Sequence, residues 1–166
     1  MLRDTVFLLL TVVRLQWQMK AEKVGQGEEY RGDELVVMMG TQAIHHATVE
    51  LLKKTSGPEV SYMATSVLNE LRGGELDKMT HAEIKAQYPE IWAQRMADKL
   101  HFRYPGAGGE SYIDLIQRVK PVIVELERQR KSVLVVSHLA VQRCLCAYFS
   151  GMPSASPSPL PPLCAT

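Results

Sequence analysis

Continuous apolar runs alternate along this chain with longer stretches whose apolar residues recur every three or four positions. A short apolar run is typical of a strand that is covered on both faces of a sheet. Recurrence at three- or four-residue spacing is typical of an amphipathic helix that buries one side. The runs predict strands over 5–13, 35–39 and 132–137, with a shorter one beginning at Val60 and leading toward Asn69 and Glu70.

The first predicted helix follows the strand at 35–39. Gly40 ends the apolar run, Thr41 opens the helix, and Ser56-Gly57-Pro58 breaks it. Its core-facing residues are predicted from their spacing as Ile44, Ala47, Thr48 and Leu51. Strand, turn and helix therefore follow one another in this region.

Four more helices are predicted in the second half of the chain. They cover 81–88, 90–100, 111–130 and 139–149. Thr80 and Glu83 match a capping box, in which a hydroxyl and a carboxylate reciprocally satisfy free N–H groups, so the first of the four should start there. The longest should be kinked by Pro121. Its buried stripe is predicted as Ile116, Val119, Ile123 and Leu126.

Strands that alternate with helices predict an α/β fold with a mainly parallel sheet. The run at 133–136 should be the central strand, because it is apolar on both faces. Ligands bind such sheets outside the carboxyl ends of the strands. His138 follows this strand and opens a helix, which is where an anion would bind.

Composition limits the functions to consider. The 166 residues, 46% of them hydrophobic, suit one globular domain with a core. A formal net charge of +1 gives no global field that would draw the chain to nucleic acid or an anionic membrane. The apolar run at 5–13 is too short to span a bilayer. Because Cys144, Cys146 and Cys164 lack metal-binding spacing, we expect reduced thiols in a cytoplasmic protein without zinc or another cofactor.

Several short motifs in the second half of the chain occur in one characteristic order. They are Leu68-Asn69-Glu70, Met79-Thr80-His81-Ala82-Glu83-Ile84, Tyr88-Pro89-Glu90, Arg103-Tyr104-Pro105, Gly109-Glu110-Ser111-Tyr112 and Val135-Val136-Ser137-His138-Leu139. In order and nearly in spacing, they resemble the fructose-2,6-bisphosphatase domain, a member of the histidine phosphatase or phosphoglycerate mutase-like superfamily. The resemblance covers about residues 67–150.

The resemblance implies a fold, a domain organisation and an activity. The expected fold is the three-layer phosphoglycerate mutase-like α/β fold, with a mainly parallel sheet, incomplete at both ends. The expected parts are a divergent N-terminal segment (1–34) and a histidine-phosphatase-like domain (35–150), followed by residues 151–166, whose proline- and serine-rich composition predicts a disordered tail. The implied reaction is hydrolysis of fructose 2,6-bisphosphate to fructose 6-phosphate and phosphate, with no cofactor. The implied partners are a phosphosugar and either a second copy of the domain or a parent kinase domain.

The resemblance also assigns roles to single residues. Glu70 matches the acid that protonates the leaving oxygen, and His138 matches the second family histidine, which contacts the transferring phosphoryl group. Guanidinium and ammonium groups suit phosphate oxygens. The positions that hold the sugar bisphosphate match Arg95, Lys99, Tyr112 and Arg143. Without the resemblance, Glu70 would be interpreted as a solvated carboxylate and Tyr112 as a core aromatic.

The defining signature of the family is missing from this sequence. In the family, Arg-His-Gly ends the first strand and its histidine takes the phosphoryl group covalently, but no Arg-His-Gly occurs here. The best positional candidate, Arg14-Leu15-Gln16, puts Leu15 in the nucleophile's place, and leucine has no lone pair to offer. A gapless alignment also puts Ile44 where the family has an arginine that clamps the phosphoryl group.

Two adjacent histidines, His45 and His46, are the candidates to replace the nucleophile. Adjacent residues on a helix point about 100° apart, so at most one of them can face the site. Neither directly follows a strand end. One packed and one exposed histidine is therefore the favoured interpretation.

Three functions remain open at this point. The chain is a fructose-2,6-bisphosphate 2-phosphatase, a catalytically dead domain that binds a phosphosugar or a protein partner, or a fragment of a longer bifunctional kinase/phosphatase. The missing Arg-His-Gly favours an impaired or inactive chain. An in-frame Arg-His-Gly exon upstream of Met1 would favour the fragment, whose kinase half would need a P-loop that this sequence lacks.

Overall fold

A computed structural model of the protein describes residues 9–13, 35–54, 60–129, 131–149 and 151. The strands within these residues are β1 (Leu9–Val13), β2 (Leu35–Met39), β3 (Val60–Ala64) and β4 (Ser132–Ser137). The α-helices are α1 (Ala43–Lys53), α2 (His81–Gln87), α3 (Pro89–Ala97), α4 (Tyr112–Arg128) and α5 (Leu139–Phe149). Two 3₁₀ turns, Ser66–Leu68 and Gly74–Leu76, lie between β3 and α2.

The sheet has the strand order β1-β4-β2-β3. Strand β2 is parallel to both β3 and β4, whereas β1 pairs with β4 in the antiparallel sense. Strand β4 therefore lies between two neighbours, as predicted for the run at 133–136. The prediction of an α/β fold with a mainly parallel sheet is confirmed.

Different helices cover the two faces of the sheet. On one face, Val135 of β4 belongs to a core cluster with Leu126 of α4 and Val141 of α5. On the other face, Val136 packs in a second cluster with Val49 of α1. Successive strand residues point to opposite faces, so the unbroken apolar run of β4 serves both clusters. The result is the three-layer arrangement of helices, sheet and helices that the resemblance implied.

Helix α1 buries a different side from the one predicted. Its buried residues are His45 and Val49, whereas Leu51 is 65% exposed and Ala47 is also exposed. The prediction from apolar spacing was wrong because the polar residue His45, and not its neighbour Ile44, occupies the core position. This change turns the buried side of the helix by about 100°.

Two other predicted helices differ in detail. Helix α3 ends at Ala97 rather than at residue 100, because Asp98 leaves helical geometry (φ −147°) and its carboxylate accepts the N–H of Leu100. In α4, Leu115 is buried, whereas Ile116, which was expected in the stripe, is half-buried. The other predicted stripe positions of α4 are buried.

The predicted capping box at the start of α2 is confirmed. Thr80 Oγ1 accepts the N–H of Glu83 at 3.1 Å, and Glu83 Oε2 accepts the N–H of Thr80 at 2.7 Å.

Among the described helices, none combines the length and apolarity needed to cross a membrane.

Strand β1 runs toward the edge of the sheet that lies opposite His138. Leu9 pairs with Ser137 and Val13 with Val133, so β1 ends at the edge of the sheet opposite His138. Outside the described residues lie 14–16, the first part of the predicted strand 5–13, and all but the first residue of the predicted tail.

Candidate functional site

The carboxyl ends of β2, β3 and β4 meet at one edge of the sheet. Gly40 follows β2 and its N–H donates to Val136 O at 3.2 Å; Thr65 follows β3 and its N–H donates to Met39 O at 2.8 Å. His138 follows β4 and precedes α5. Because parallel α/β sheets bind ligands at this edge, the side chains gathered here form the candidate site.

His138 is held between a carboxyl group and an amide. Its Nδ1 lies 3.5 Å from Glu70 Oε2, and its Nε2 lies 2.6 Å from Oε1 of Gln42, the residue that precedes α1. An amide oxygen only accepts hydrogen bonds, so Nε2 carries the proton and donates it. The Nδ1 lone pair then faces Glu70. These contacts fix both the tautomer and the orientation of the imidazole.

Burial shifts the pKa values of this pair in opposite directions. It raises the pKa of the Glu70 carboxyl, although hydrogen bonds from the backbone N–H groups of Leu71 and Ala140 act in the opposite direction. Burial also lowers the pKa of His138. Glu70 therefore keeps its proton to a higher pH than an ordinary carboxyl group, and His138 accepts one only at a lower pH than an ordinary imidazole.

His45 lies directly beside His138. It is fully buried, and the two rings meet edge to face with centroids 4.6 Å apart. Neither ring nitrogen of His45 has a hydrogen-bond partner among the described residues. Burial, together with the nearby His138 and His46, lowers the pKa of His45 to about 4. His46 is exposed, so the interpretation of one packed and one exposed histidine is confirmed.

A short bridge ties the Glu70 segment to the start of α1. The N–H of Thr41 donates to Asn69 Oδ1 at 2.7 Å, and Asn69 Nδ2 donates to Thr41 Oγ1 at 2.9 Å. A side chain at Gly40 would prevent this approach, because a Cβ there would lie 2.4 Å from His45 Cε1 and 2.7 Å from Asn69 Oδ1. Glycine at this position therefore lets both side chains reach the strand end.

Arg143 and Tyr112 form a second pair next to the first. Arg143 Nη1, on α5, donates to the hydroxyl group of Tyr112 at the start of α4, at 3.4 Å. Burial raises the pKa of Tyr112, and the Glu70 carboxyl adds to that rise. The structure thus pairs Glu70 with His138 and Arg143 with Tyr112, and the Glu70 carboxyl acts electrostatically on Tyr112.

Arg95 and Lys99 are placed differently from each other. Arg95 Nε donates to Tyr104 OH at 2.8 Å, and its guanidinium lies 5.3 Å from the ring centroid of Trp92. Burial raises the pKa of Tyr104, and the Glu70 carboxyl contributes to the rise. Lys99 is exposed in the turn after α3 and makes no bond to the other predicted site residues.

Sequence analysis missed two residues of the site, Gln42 and Arg118. Gln42 bonds His138 from a helix N-cap position, where no sequence pattern marks it. Arg118 is paired with Glu110, eight residues before it. Glu110 lies before the N-cap of α4, so no helical spacing marks this pair in the sequence. The described part of the chain contains no group of three or more His, Cys, Asp or Glu side chains that could hold a metal ion.

Comparison with known sequences identifies the family. A sequence model of the histidine phosphatase superfamily (branch 1) matches residues 42–164, which is most of the chain. The chain belongs to this superfamily. The matched region includes every predicted site residue of this histidine phosphatase domain.

Similar proteins place the domain more narrowly. The 6-phosphofructo-2-kinase/fructose-2,6-bisphosphatase of Arabidopsis thaliana is 51% identical over 96 residues, which are 58% of this chain and 12% of that protein. The 6-phosphofructo-2-kinase/fructose-2,6-bisphosphatase 1 of Homo sapiens is 53% identical over 90 residues, 54% of this chain and 18% of that protein. The domain is therefore homologous to the bisphosphatase region of the bifunctional enzyme, and it spans less than a fifth of these relatives' length.

Solved structures share the fold. A mycobacterial glucosyl-3-phosphoglycerate phosphatase superposes with a TM-score of 0.60 at 23% identity, covering 75% of this chain and 62% of that one. The alpha-ribazole phosphatase of Shigella flexneri gives a TM-score of 0.58 at 22% identity, covering 73% and 59%. At such identities the likeness concerns the fold alone, and it confirms the expected phosphoglycerate mutase-like fold.

Proposed function

We propose that this domain binds a phosphorylated sugar of the fructose 2,6-bisphosphate type but does not hydrolyse it through a phosphohistidine. The observation that carries the proposal is the approach of Glu70 to His138, 3.5 Å apart, at the ligand-binding edge of the sheet. Relatives of this domain are named as fructose-2,6-bisphosphatases, and this name supports a sugar bisphosphate as the ligand.

The charges around the pair suit a phosphate. Arg143 supplies a guanidinium beside the site, and Arg95 supplies a second one through Tyr104. A guanidinium offers several donors in one plane, which matches the oxygens of a phosphate group. Burial raises the pKa of the Glu70 carboxyl, so this group carries the negative charge that repels an anion over a narrower pH range than an ordinary carboxyl group does. In this proposal Lys99 acts from the rim of the site.

The histidines of the site are poor candidates for covalent catalysis. A nucleophilic imidazole needs an accessible lone pair in line with the phosphorus. In His138, Nε2 is bonded to Gln42 and Nδ1 faces Glu70. His45 is neutral but fully buried. We therefore infer that the sugar is held without phosphoenzyme formation.

Binding is tested by isothermal titration of the full chain with fructose 2,6-bisphosphate and with 3-phosphoglycerate. We expect tighter binding of the sugar bisphosphate. Arg143→Ala should weaken it about tenfold to a hundredfold, because a charge-assisted contact is lost. Arg128→Ala, at the far end of α4, is the matched control and should leave affinity unchanged. Absence of binding, or equal losses in both variants, would contradict the proposal.

Phosphoenzyme formation is tested with fructose 2,6-bisphosphate labelled at the 2-phosphate. We expect no acid-labile label on the protein and no release of labelled phosphate above background. Loss of the nucleophile should cost more than the roughly hundred- to thousandfold that removal of an oxyanion donor costs. Turnover faster than about one per second that disappears in His138→Ala or His45→Ala would show that one of these histidines has taken over.

A second candidate function is that of a segment within a longer kinase/phosphatase. Its relatives are named as bifunctional enzymes, and the chain spans only 12% and 18% of two of them. In that setting the domain would act in cytoplasmic fructose metabolism and in the regulation of glycolysis, beside a parent kinase domain or a second copy of itself. Sequencing the gene upstream of Met1 tests this, because an in-frame Arg-His-Gly exon would support it and a stop codon would not.

A further inference from the structure

A buried ion pair lies beneath the segment that carries Glu70. Arg118 of α4 and Glu110 are 14% and 10% exposed in their side chains. Arg118 Nε donates to Glu110 Oε1 at 2.8 Å, and Arg118 Nη2 donates to Glu110 Oε2 at 2.8 Å. Two parallel bonds of this kind fix the plane of a guanidinium as well as its position.

The remaining donors of Arg118 all point at one stretch of backbone. Nη1 donates to the carbonyl oxygens of Val67 at 2.8 Å and Asn69 at 3.1 Å, and Nη2 donates to that of Glu70 at 3.2 Å. With the pair to Glu110, the guanidinium thereby uses its five N–H groups. No other side chain can place five donors in one plane.

Glu110 holds the same stretch from its other end. Its Oε2 accepts the N–H of Arg72 at 3.0 Å, and its own N–H donates to Arg72 O at 3.0 Å. Residues 69–73 lie between the two 3₁₀ turns and belong to no helix or strand. The hydrogen bonds from Arg118 and Glu110 therefore take the place of the backbone–backbone hydrogen bonds that fix a helix or a strand.

We propose that Arg118 is the positioning residue of the site, which holds the Asn69-Glu70 backbone so that the Glu70 carboxyl stays within reach of His138 Nδ1. This inference rests on the proposed role of Glu70 and His138 as the phosphate-facing pair. A displacement of about 1 Å is enough to impair a site of this kind. The positive charge of Arg118 also acts on Glu70 directly, opposing the rise that burial imposes on the pKa of its carboxyl.

The test compares Arg118→Gln, which removes the charge, and Arg118→Lys, which keeps it, with Arg103→Lys as the matched control. Arg103 also pairs with a carboxylate and bonds a backbone carbonyl, but its partners are Asp114 and Gly109. The readout in the full chain is nuclear magnetic resonance of the Glu70 carboxyl carbon and the His138 Nδ1 nitrogen against pH. A Glu70→Gln variant assigns the carboxyl signal.

We expect the Glu70 titration midpoint to rise in Arg118→Gln, because a favourable charge is lost. In Arg118→Lys, the His138 Nδ1 resonance should no longer change with pH as the Glu70 carboxyl titrates, because the two groups move apart. Fructose 2,6-bisphosphate should bind to this variant about tenfold more weakly. Arg103→Lys should change neither signal. A purely structural role would lower stability in the Arg118 variants and leave both signals as in the unmodified protein, and that result would overturn the proposal.

The resonance measurements need no ligand, so they remain decisive if the sugar bisphosphate does not bind. In that case the proposed function fails and the positioning role of Arg118 is still tested. If Arg118→Gln does not fold, Arg118→Lys alone decides, since an unchanged Nδ1 titration step in that variant refutes the role.

Discussion

Acidification from pH 7 to pH 4 is expected to remove about 3 kcal/mol of the free energy of unfolding through His45 alone. Burial lowers the pKa of His45 in the folded protein from 6.5 to about 4. Between these two values the unfolded chain takes up a proton that the folded chain does not. The contribution is therefore fully present above pH 6.5, falls as the pH drops to 4, and does not change further below that.

Urea unfolding of the full chain between pH 7 and pH 4 measures this effect. The His45→Leu variant keeps a side chain of similar size but has no titrating group at this position. Between pH 7 and pH 4, its free energy of unfolding should therefore decrease by about 3 kcal/mol less than that of the unmodified protein. His46→Ala, at the exposed neighbour, should keep most of the loss, because burial is the largest cause of the low pKa of His45 and His46 is the smallest of the three. Comparing variants is necessary because Glu70, whose pKa burial raises, stabilises the fold on acidification. Parallel curves for the unmodified protein and His45→Leu would refute the prediction.

Gly40→Ala is expected to destabilise the protein by about 1–3 kcal/mol, the usual cost of overpacking. The new Cβ would lie 2.4 Å from His45 Cε1 and 2.7 Å from Asn69 Oδ1, so both side chains would have to move. His45 is fully buried, so a shift of its ring has to displace packed neighbours. The same shift would disturb the contact between His45 and His138, so ligand binding should weaken as well.

A double-mutant cycle tests the cause of this loss. Combining Gly40→Ala with His45→Ala removes the clash with the ring and should recover more than half of the destabilisation caused by Gly40→Ala. Gly108→Ala is the control, because a Cβ there meets nothing within 4 Å and its cost comes only from the backbone angle of +78°. That cost should not change when His45 is replaced. Additive effects of Gly40→Ala and His45→Ala would show that the ring is not the obstacle.

The sequence by itself determined the elements whose signals are local. Strands β2 and β4 were predictable because each is an unbroken apolar run that ends at a glycine or a polar residue. The start of α2 was predictable because Thr80 and Glu83 satisfy each other's backbone within one turn. Glu70 and His138 were predicted as site residues from the motifs that resemble the family's, and the structure places their side chains 3.5 Å apart.

Tertiary structure decided what depends on partners far apart in the sequence. The direction of β1 follows from its pairing with β4, and an apolar run carries no direction. The bond from His138 to Gln42 spans 96 residues, and those from Arg118 to Asn69 and Glu70 span 49 and 48. His45 became a core residue because the sheet edge and His138 enclose it, although its type favours the surface. Periodicity and propensity report only on neighbours within a few residues, so packing alone could assign these roles.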